Sequence, residues 1–344
     1  MKSTEGALTY REAGVDVAAA DGFVSFALKR ARATNTRGVV LHDLGYSGLF
    51  RPESKRGARP LLAATCDGVG TKLLIARELG QYDDLGQDLV AMSVNDLVPV
   101  GARPLFFLDY IASGALDRRV LDRILKSIAT ACRAVGCALL GGETAEMPGL
   151  YQGGDFDLAG FAVGMTDERT LPKKSSMRPG DVVLGLPSTG IHSNGLSLAR
   201  AALLTRGGLS LTRRYAPLDT TLGRELLKPT ALYPHPVLKL FSLGEVRAAA
   251  HATGGGIHAR AGKLAPRGLG VVLELHRVRR PGIFDLIADV GGVSEAELQR
   301  TFNLGLGFLA VVPPATARKA LRAGLGFLDV GHVEKRRTSL VVRA

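Results

Sequence analysis

Tryptophan is absent from the 344 residues, and the aromatic residues together make up only 6% of them. The core must therefore be aliphatic, built from Ala, Val, Leu and Ile. Cysteine is scarce and odd in number: Cys66, Cys132 and Cys137. Three thiols in apolar surroundings provide neither a disulfide framework nor a zinc-binding spacing. Cys132 and Cys137 flank an expected helix-to-strand turn and read as small buried hydrophobes. No apolar run approaches the roughly 18–20 residues that a membrane span needs. The first residues, MKSTEGALTYREAG, contain no apolar signal core, so the expected location is the cytoplasm. Internal repeats and low-complexity tracts are also missing.

What is present is a globular composition, 46% hydrophobic and 22% charged, long enough for two domains. Acidic residues are outnumbered, 32 against 44 Lys and Arg, for a net charge of +12. Such a chain attracts anions, whether nucleic acid or phosphorylated metabolites. Its basic clusters at Lys29–Arg32, Arg277–Arg280 and Lys335–Arg337 are not interleaved with aromatics. No helix-turn-helix, finger or RNA-binding signature accompanies them. A nucleic-acid-binding protein is thus the alternative from another class, resting on charge alone, and no specific nucleic-acid partner is expected.

Short apolar runs alternate with helical patterns along the first half. Pro60–Cys66, Pro104–Tyr110, Cys137–Leu140 and Leu158–Val163 read as strands. Thr71–Leu79, Asp88–Val98 and Asp117–Val135 read as helices. The Pro- and Gly-bearing stretch Asp167–Gly180 is the best linker. The second half restarts with a strand at Asp181–Leu186 and a helix at Gly195–Leu204. A less regular middle precedes strands at Leu269–Leu275 and Leu304–Val312, and a final helix and strand. The expected fold class is α+β, a mixed α/β chain of two domains, 1–167 and 168–344. Each is a mixed sheet covered by helices.

The strongest local signal is Asp67-Gly68-Val69-Gly70-Thr71-Lys72, where a strand ends and a helix begins. Its glycines let backbone amides turn toward a phosphate, and the helix start adds partial positive charge. Lys72 suits neutralising phosphate oxygens and Asp67 suits holding a cation. The run is neither a Walker A loop nor G-x-G-x-x-G, and such a turn is often purely structural. Asp88 and Asn95 share a helix face with Met92 between them. A carboxylate in an apolar helix is costly to bury unless paired or bound to a metal. Asp96 has apolar neighbours on both sides, whereas Asp155 and Asp157 read as caps and turns. Glu143 follows a strand and the pair Gly141-Gly142. Asp67, Asp96 and Glu143, with no His or Cys alongside, suit magnesium, and with the glycine-lysine loop they form a candidate Mg–ATP site. In the second half Ser193 or Asn194 either caps a helix or binds a substrate phosphate, with His192 as a nearby acid–base group. His251-Ala252-Thr253-Gly254-Gly255-Gly256 is a third loop of this kind.

In this order the motifs resemble the phosphoribosylformylglycinamidine cyclo-ligase (AIR synthetase) family of purine biosynthesis. The matching text is Tyr10–Asp16, Asp67–Lys72, Gly86–Asp96, Pro104–Tyr110, Gly141–Pro148 and Asp157–Phe161. It continues with Gly190–Gly195, Pro229-Thr230, His251–Gly256 and Arg300–Asn303. The resemblance implies ATP-driven ring closure of formylglycinamidine ribonucleotide to aminoimidazole ribonucleotide. It implies Mg2+ as cofactor, potassium as a further candidate ion, and a homodimer whose N-terminal sheets pair. ATP contacts would fall on Asp67, Gly68, Gly70, Thr71, Lys72 and Asn95, and metal contacts on Asp67, Asp96 and Glu143. Lys72, Asp96 and His192 would serve catalysis. Ser193, Asn194, Thr253, Gly254 and Gly255 would face the substrate. The chain departs from the family at Ala259–Lys263 and at Leu298-Gln299. The nearest rivals are selenophosphate synthetases, thiamine-phosphate kinases and hydrogenase-maturation proteins of the same superfamily. The first usually carry a reactive Cys in the early Gly-rich loop, and His42–Gly48 has none.

Overall fold

The structure is a computed structural model that describes residues 8–41, 47–53 and 59–343. Most of the early Gly-rich loop, His42–Tyr46, lies outside the described residues. The first domain runs α1 (Val17–Arg32), β1 (Val39–Val40), β2 (Gly48–Phe50), β3 (Pro60–Gly68), α2 (Lys72–Leu79), α3 (Leu85–Val94), β4 (Arg103–Ser113), α4 (Arg118–Ala134), β5 (Ala138–Glu146) and β6 (Phe156–Asp167). Its six strands lie in the order β1-β2-β3-β6-β4-β5, antiparallel except for the β4–β5 pair.

The second domain contains β7 (Val182–Pro187), α5 (Leu196–Arg200), α6 (Leu222–Leu226), α7 (Pro234–Leu243), β8 (Ala248–His251), α8 (Gly256–Gly262), β9 (Leu269–Glu274), α9 (Gly282–Gly291), α10 (Glu295–Thr301), β10 (Leu306–Val312), α11 (Pro314–Arg322), β11 (Leu328–Lys335) and β12 (Leu340–Arg343). Its sheet order is β12-β9-β11-β7-β10-β8, antiparallel except for β12–β9. Two mixed sheets, each with helices, match the expected fold class. The segment between β6 and β7 holds only short helical turns. No described helix is long and apolar enough to cross a membrane.

The α3 sequence LGQDLVAMSV is apolar nearly all round, and all but one of its residues are buried. Helix α4 is amphipathic and buries Ile124, Ser127, Ile128, Ala131 and Cys132 against it. Gly86 makes their crossing possible. A Cβ there would overlap the backbone nitrogen of Ile128 and lie 2.6 Å from the Ile124 carbonyl oxygen.

Helix α3 covers one face of the first sheet, packing on β3 and β6. The opposite face is open and apolar, with Cys66, Tyr110, Phe161 and Met165 exposed. Cys66 is in register with Phe161, and Tyr110 with Ala159, so these side chains share that face. Edge strand β5 is exposed along most of its length.

Candidate active site

The seam between the domains is built from the polar side of α3. Asp88 is fully buried, and its Oδ2 lies 2.6 Å from Lys72 Nζ. Thr230 donates to Asp88 Oδ1 from its amide at 2.8 Å and its hydroxyl at 2.6 Å, and the Ser193 hydroxyl donates at 3.1 Å. Lys72 also donates to the Lys228 carbonyl at 2.7 Å. Two turns along α3, Asn95 Nδ2 donates to the Ala231 carbonyl at 2.8 Å, while Asn95 Oδ1 accepts from the Tyr233 amide at 2.9 Å. The shared face of Asp88 and Asn95 is therefore a docking strip for residues 228–233. Of the two ways to bury Asp88, pairing is the one realised.

These contacts bear on three of the residues expected to be ligands. Lys72 is fully buried and its charge meets Asp88, so it does not present an ammonium to a phosphate. Asn95 uses both ends of its amide on the backbone of the second domain. Ser193 is held by Asp88 and Thr230, which makes it part of the seam.

Asp67 and Asp96 lie near enough to feel each other's charge. Burial, and then the charge of Asp96, push the Asp67 carboxyl up to about 6, while the Gly68 amide, His251 and Arg260 pull the other way. The buried His251 lies 2.9 Å from Asp96 Oδ1 through Nδ1. Asn95 Nδ2 lies 3.4 Å from its Nε2, so Nε2 accepts and the Nδ1 proton goes to Asp96. Two carboxylates that repel each other offer oxygen donors to a hard divalent cation, with the His251 imidazole held against one of them. Glu143 does not join them. It pairs with Tyr110 across β4–β5, whereas Asp109 pairs with Gly142 and, through Gly160, shares the row of Asp67. Adjacent strand residues alternate faces, so Glu143 stands on the open face. No cluster of three His, Cys, Asp or Glu suited to a metal occurs among the described residues.

His192 is also not placed as expected. Its ring is buried, Thr189 N donates to Nε2 at 3.2 Å, and Nδ1 has no partner. Burial holds its pKa well below the ordinary histidine value, and His251 and Lys72 act in the same direction. A neutral, enclosed ring packed beside Tyr233 is a structural group of the loop, not a solvent-facing acid. The Asp67–Thr71 loop abuts the second domain. Gly70 faces the Ser193 carbonyl, and the Thr71 and Ser197 hydroxyls are 3.2 Å apart. Asn194 reaches Met92 of α3 at 3.7 Å. Thr253 is buried, while Gly254 and Gly255 flank the same cleft, and a Cβ at Gly254 would lie 3.7 Å from Asn194 Oδ1. Asp155 pairs with Arg77, and Asp157 accepts from the Leu158 amide, as turn and pairing residues.

Sequence reasoning named the runs holding His251 and Asn303 but gave neither residue a role. Asn303 is buried and donates to the Gly190 and Ile191 carbonyls at 2.9 and 3.1 Å, while Oδ1 accepts from Ser188 Oγ at 2.8 Å. It shapes the Ser188–Gly195 loop from beneath. The signal for His251 was its place at the end of the apolar run Ala248–Ala250, directly before the Gly254–Gly256 turn.

Two mixed-sheet domains joined by a polar seam, with a carboxylate pair at its edge, define a two-domain enzyme scaffold with an interdomain site. Residues 53–166 match the family described as AIR synthase related protein, N-terminal domain, and residues 178–343 match its C-terminal domain. The chain belongs to the AIR synthase family. It is 48% identical over 332 residues to phosphoribosylformylglycinamidine cyclo-ligase of Anaeromyxobacter sp. (strain Fw109-5), covering 95% of this chain and 96% of that one. It is 44% identical over 318 residues to the enzyme of that name from Sorangium cellulosum (strain So ce56), covering 92% and 91%. Among solved structures, hydrogenase maturation protein HypE in complex with ATP superimposes with TM-score 0.60 at 20% identity over 85% and 83% of the chains. AaThiL complexed with AMPPCP and TMP gives TM-score 0.62 at 17% identity over 93% and 92%. These structural likenesses speak to the fold.

Proposed function

We propose that this chain closes formylglycinamidine ribonucleotide to 5-aminoimidazole ribonucleotide, consuming ATP and releasing ADP and phosphate. Near-half identity to curated cyclo-ligases along almost the whole chain carries this reading. The chemistry asks little covalent work of the protein. A formamide oxygen leaves poorly, so ATP first phosphorylates it to an imidate phosphate. The amidine nitrogen then attacks that carbon, the C–O bond breaks, and phosphate departs with the oxygen. Such a sequence needs positioning and charge neutralisation more than a protein nucleophile.

Asp67 and Asp96 are the residues that would hold magnesium, because a cation offsets both the burial and the Asp96 charge that raise Asp67. When bound, the ion neutralises phosphate oxygens. The Gly68–Thr71 turn is the proposed seat for the ATP phosphates. Asn194, Thr253, Gly254 and Gly255 serve the ribonucleotide. Dimerisation belongs to the same reading. An exposed apolar sheet face and an uncovered edge strand are what a second copy would bury. Glu143, on that face, would then act only together with groups from the partner. ADP release that depends on formylglycinamidine ribonucleotide tests the proposal. ATP hydrolysis indifferent to that ribonucleotide would overturn it.

A further inference from the structure

The N-terminal strap, residues 9–16, does not stay with the first sheet. The Tyr10 amide donates to Glu297 Oε1 of α10 at 2.8 Å, across the domain boundary. Between strap and second domain lies a cavity of about 480 Å3, walled by Tyr10, Arg11, Gly255, His258, Arg300 and Thr301. Two acidic residues also line it, and both are already engaged. Asp16 accepts from the Ala19 amide at 2.9 Å and pairs with Arg11 at 3.1 Å. Glu297 accepts from Tyr10 and from the Thr301 hydroxyl at 3.5 Å. Arg300 and His258 have no such partner among the described residues. The cavity therefore holds a guanidinium and an imidazole that make no ion pair among the described residues, although the carboxylate of Glu297 also lines it. The slightly larger cavity of about 520 Å3 differs in this respect. Two of its cations are already ion-paired, Lys228 with Glu225 at 2.7 Å and Arg280 with Asp285 at 2.9 Å.

Position adds a second argument. On α8, Arg260 acts on Asp67, whereas His258 and Ala259 line the cavity. Residues two apart on a helix point to different sides. One short helix thus separates the carboxylate pair from the cationic cavity, and Gly255 borders that cavity at the helix start.

We infer that Arg300, assisted by His258, holds the phosphomonoester end of the ribonucleotide in this cavity, with the Tyr10–Arg11 strap as its outer wall. A guanidinium offers a planar fork of donors that matches phosphate geometry. Anchoring the phosphate on one side of α8 leaves the rest of the substrate to extend toward the carboxylate pair on the other. The inference rests on the proposed function for the identity of the ribonucleotide but not for the presence of the anion site.

Calorimetric titration with ribose 5-phosphate, inorganic phosphate and ribose tests it on wild type, Arg300→Gln and His258→Gln. Arg300 and His258 are exposed, so both variants are expected to fold, and circular dichroism checks this. Wild type should bind ribose 5-phosphate in clear preference to ribose. Arg300→Gln should weaken that binding about ten- to hundredfold, the range of a charged hydrogen bond, and His258→Gln by less. Affinity for an ATP analogue should not move, and KM for the ribonucleotide should rise while kcat holds. Equal ribose 5-phosphate affinity in all three proteins overturns the site. If cyclo-ligase turnover is present with that outcome, the site fails and the functional reading stands. If turnover is absent while ribose 5-phosphate binding still depends on Arg300, the functional reading fails and the site stands.

Discussion

Lys72 and Asp88 are a buried ion pair whose remaining oxygen is saturated by Thr230 and Ser193. Removing one partner leaves an uncompensated charge in the interior. Lys72→Met is therefore predicted to cost about 3–5 kcal/mol in urea unfolding, and Lys72→Met with Asp88→Leu much less than the sum of the single changes. Full additivity would contradict the pairing. His192 supplies a pH test. Its folded pKa is depressed, so the unfolded chain takes up the proton first as pH falls. Its stabilising contribution is complete above the ordinary histidine value and is lost as pH drops below it. The unfolding free energy should fall between pH 7 and 5, with a shallower slope in His192→Gln; an unchanged slope would count against a neutral buried ring. Asp67 gives a second pH test. With its carboxyl raised to about 6, a proton competes with magnesium below that pH. Magnesium affinity of the nucleotide-free protein should climb from pH 5 to 7, and Asp67→Asn should flatten that climb. An equally steep climb in the variant would remove Asp67 from the cation site. These roles were half legible. An acid inside the apolar run Leu85–Val94 had to be paired or metal-bound, but its Thr230 partner is 142 residues away, and only folding reveals which solution is used.

Elements were readable where a period is long. The α4 pattern and the β3 and β10 runs stand out because each buries one face or both. Strands outlast their apolar runs, however. β5 continues to Glu146 and β6 to Asp167, since ladder bonds extend over polar residues. The irregular middle hides α6, α7, β8 and α8, short pieces whose form is decided by packing rather than by periodicity. Helix α1 was missed too, and none of its residues is buried. At the α3–α4 crossing, Gly86 permits backbone-to-backbone contact. Gly86→Ala must push the helices apart, and thermal or chemical unfolding should register a loss of about 1–3 kcal/mol. A neutral effect would mean the crossing is looser than described.

At the scale of the whole molecule, the two sheets are joined by a seam that consumes residues first read as ligands, and this is why the site was harder to read than the fold. Motif order located the loops, yet Asn95 and Ser193 look alike in sequence whether they hold a ligand or the other domain. The open face bearing Tyr110 and Phe161 points to a dimer. Sedimentation should give a dimer at micromolar concentration, and Phe161→Asp should shift it toward monomer. A stable, active wild-type monomer would contradict that. The central claim is that ATP activates a formamide oxygen for displacement by nitrogen. It is tested most directly with formylglycinamidine ribonucleotide carrying 18O in its formyl group, incubated with the protein, ATP and magnesium. The account predicts aminoimidazole ribonucleotide by mass and the label in the released inorganic phosphate; product with unlabelled phosphate, or no product at all, would contradict it.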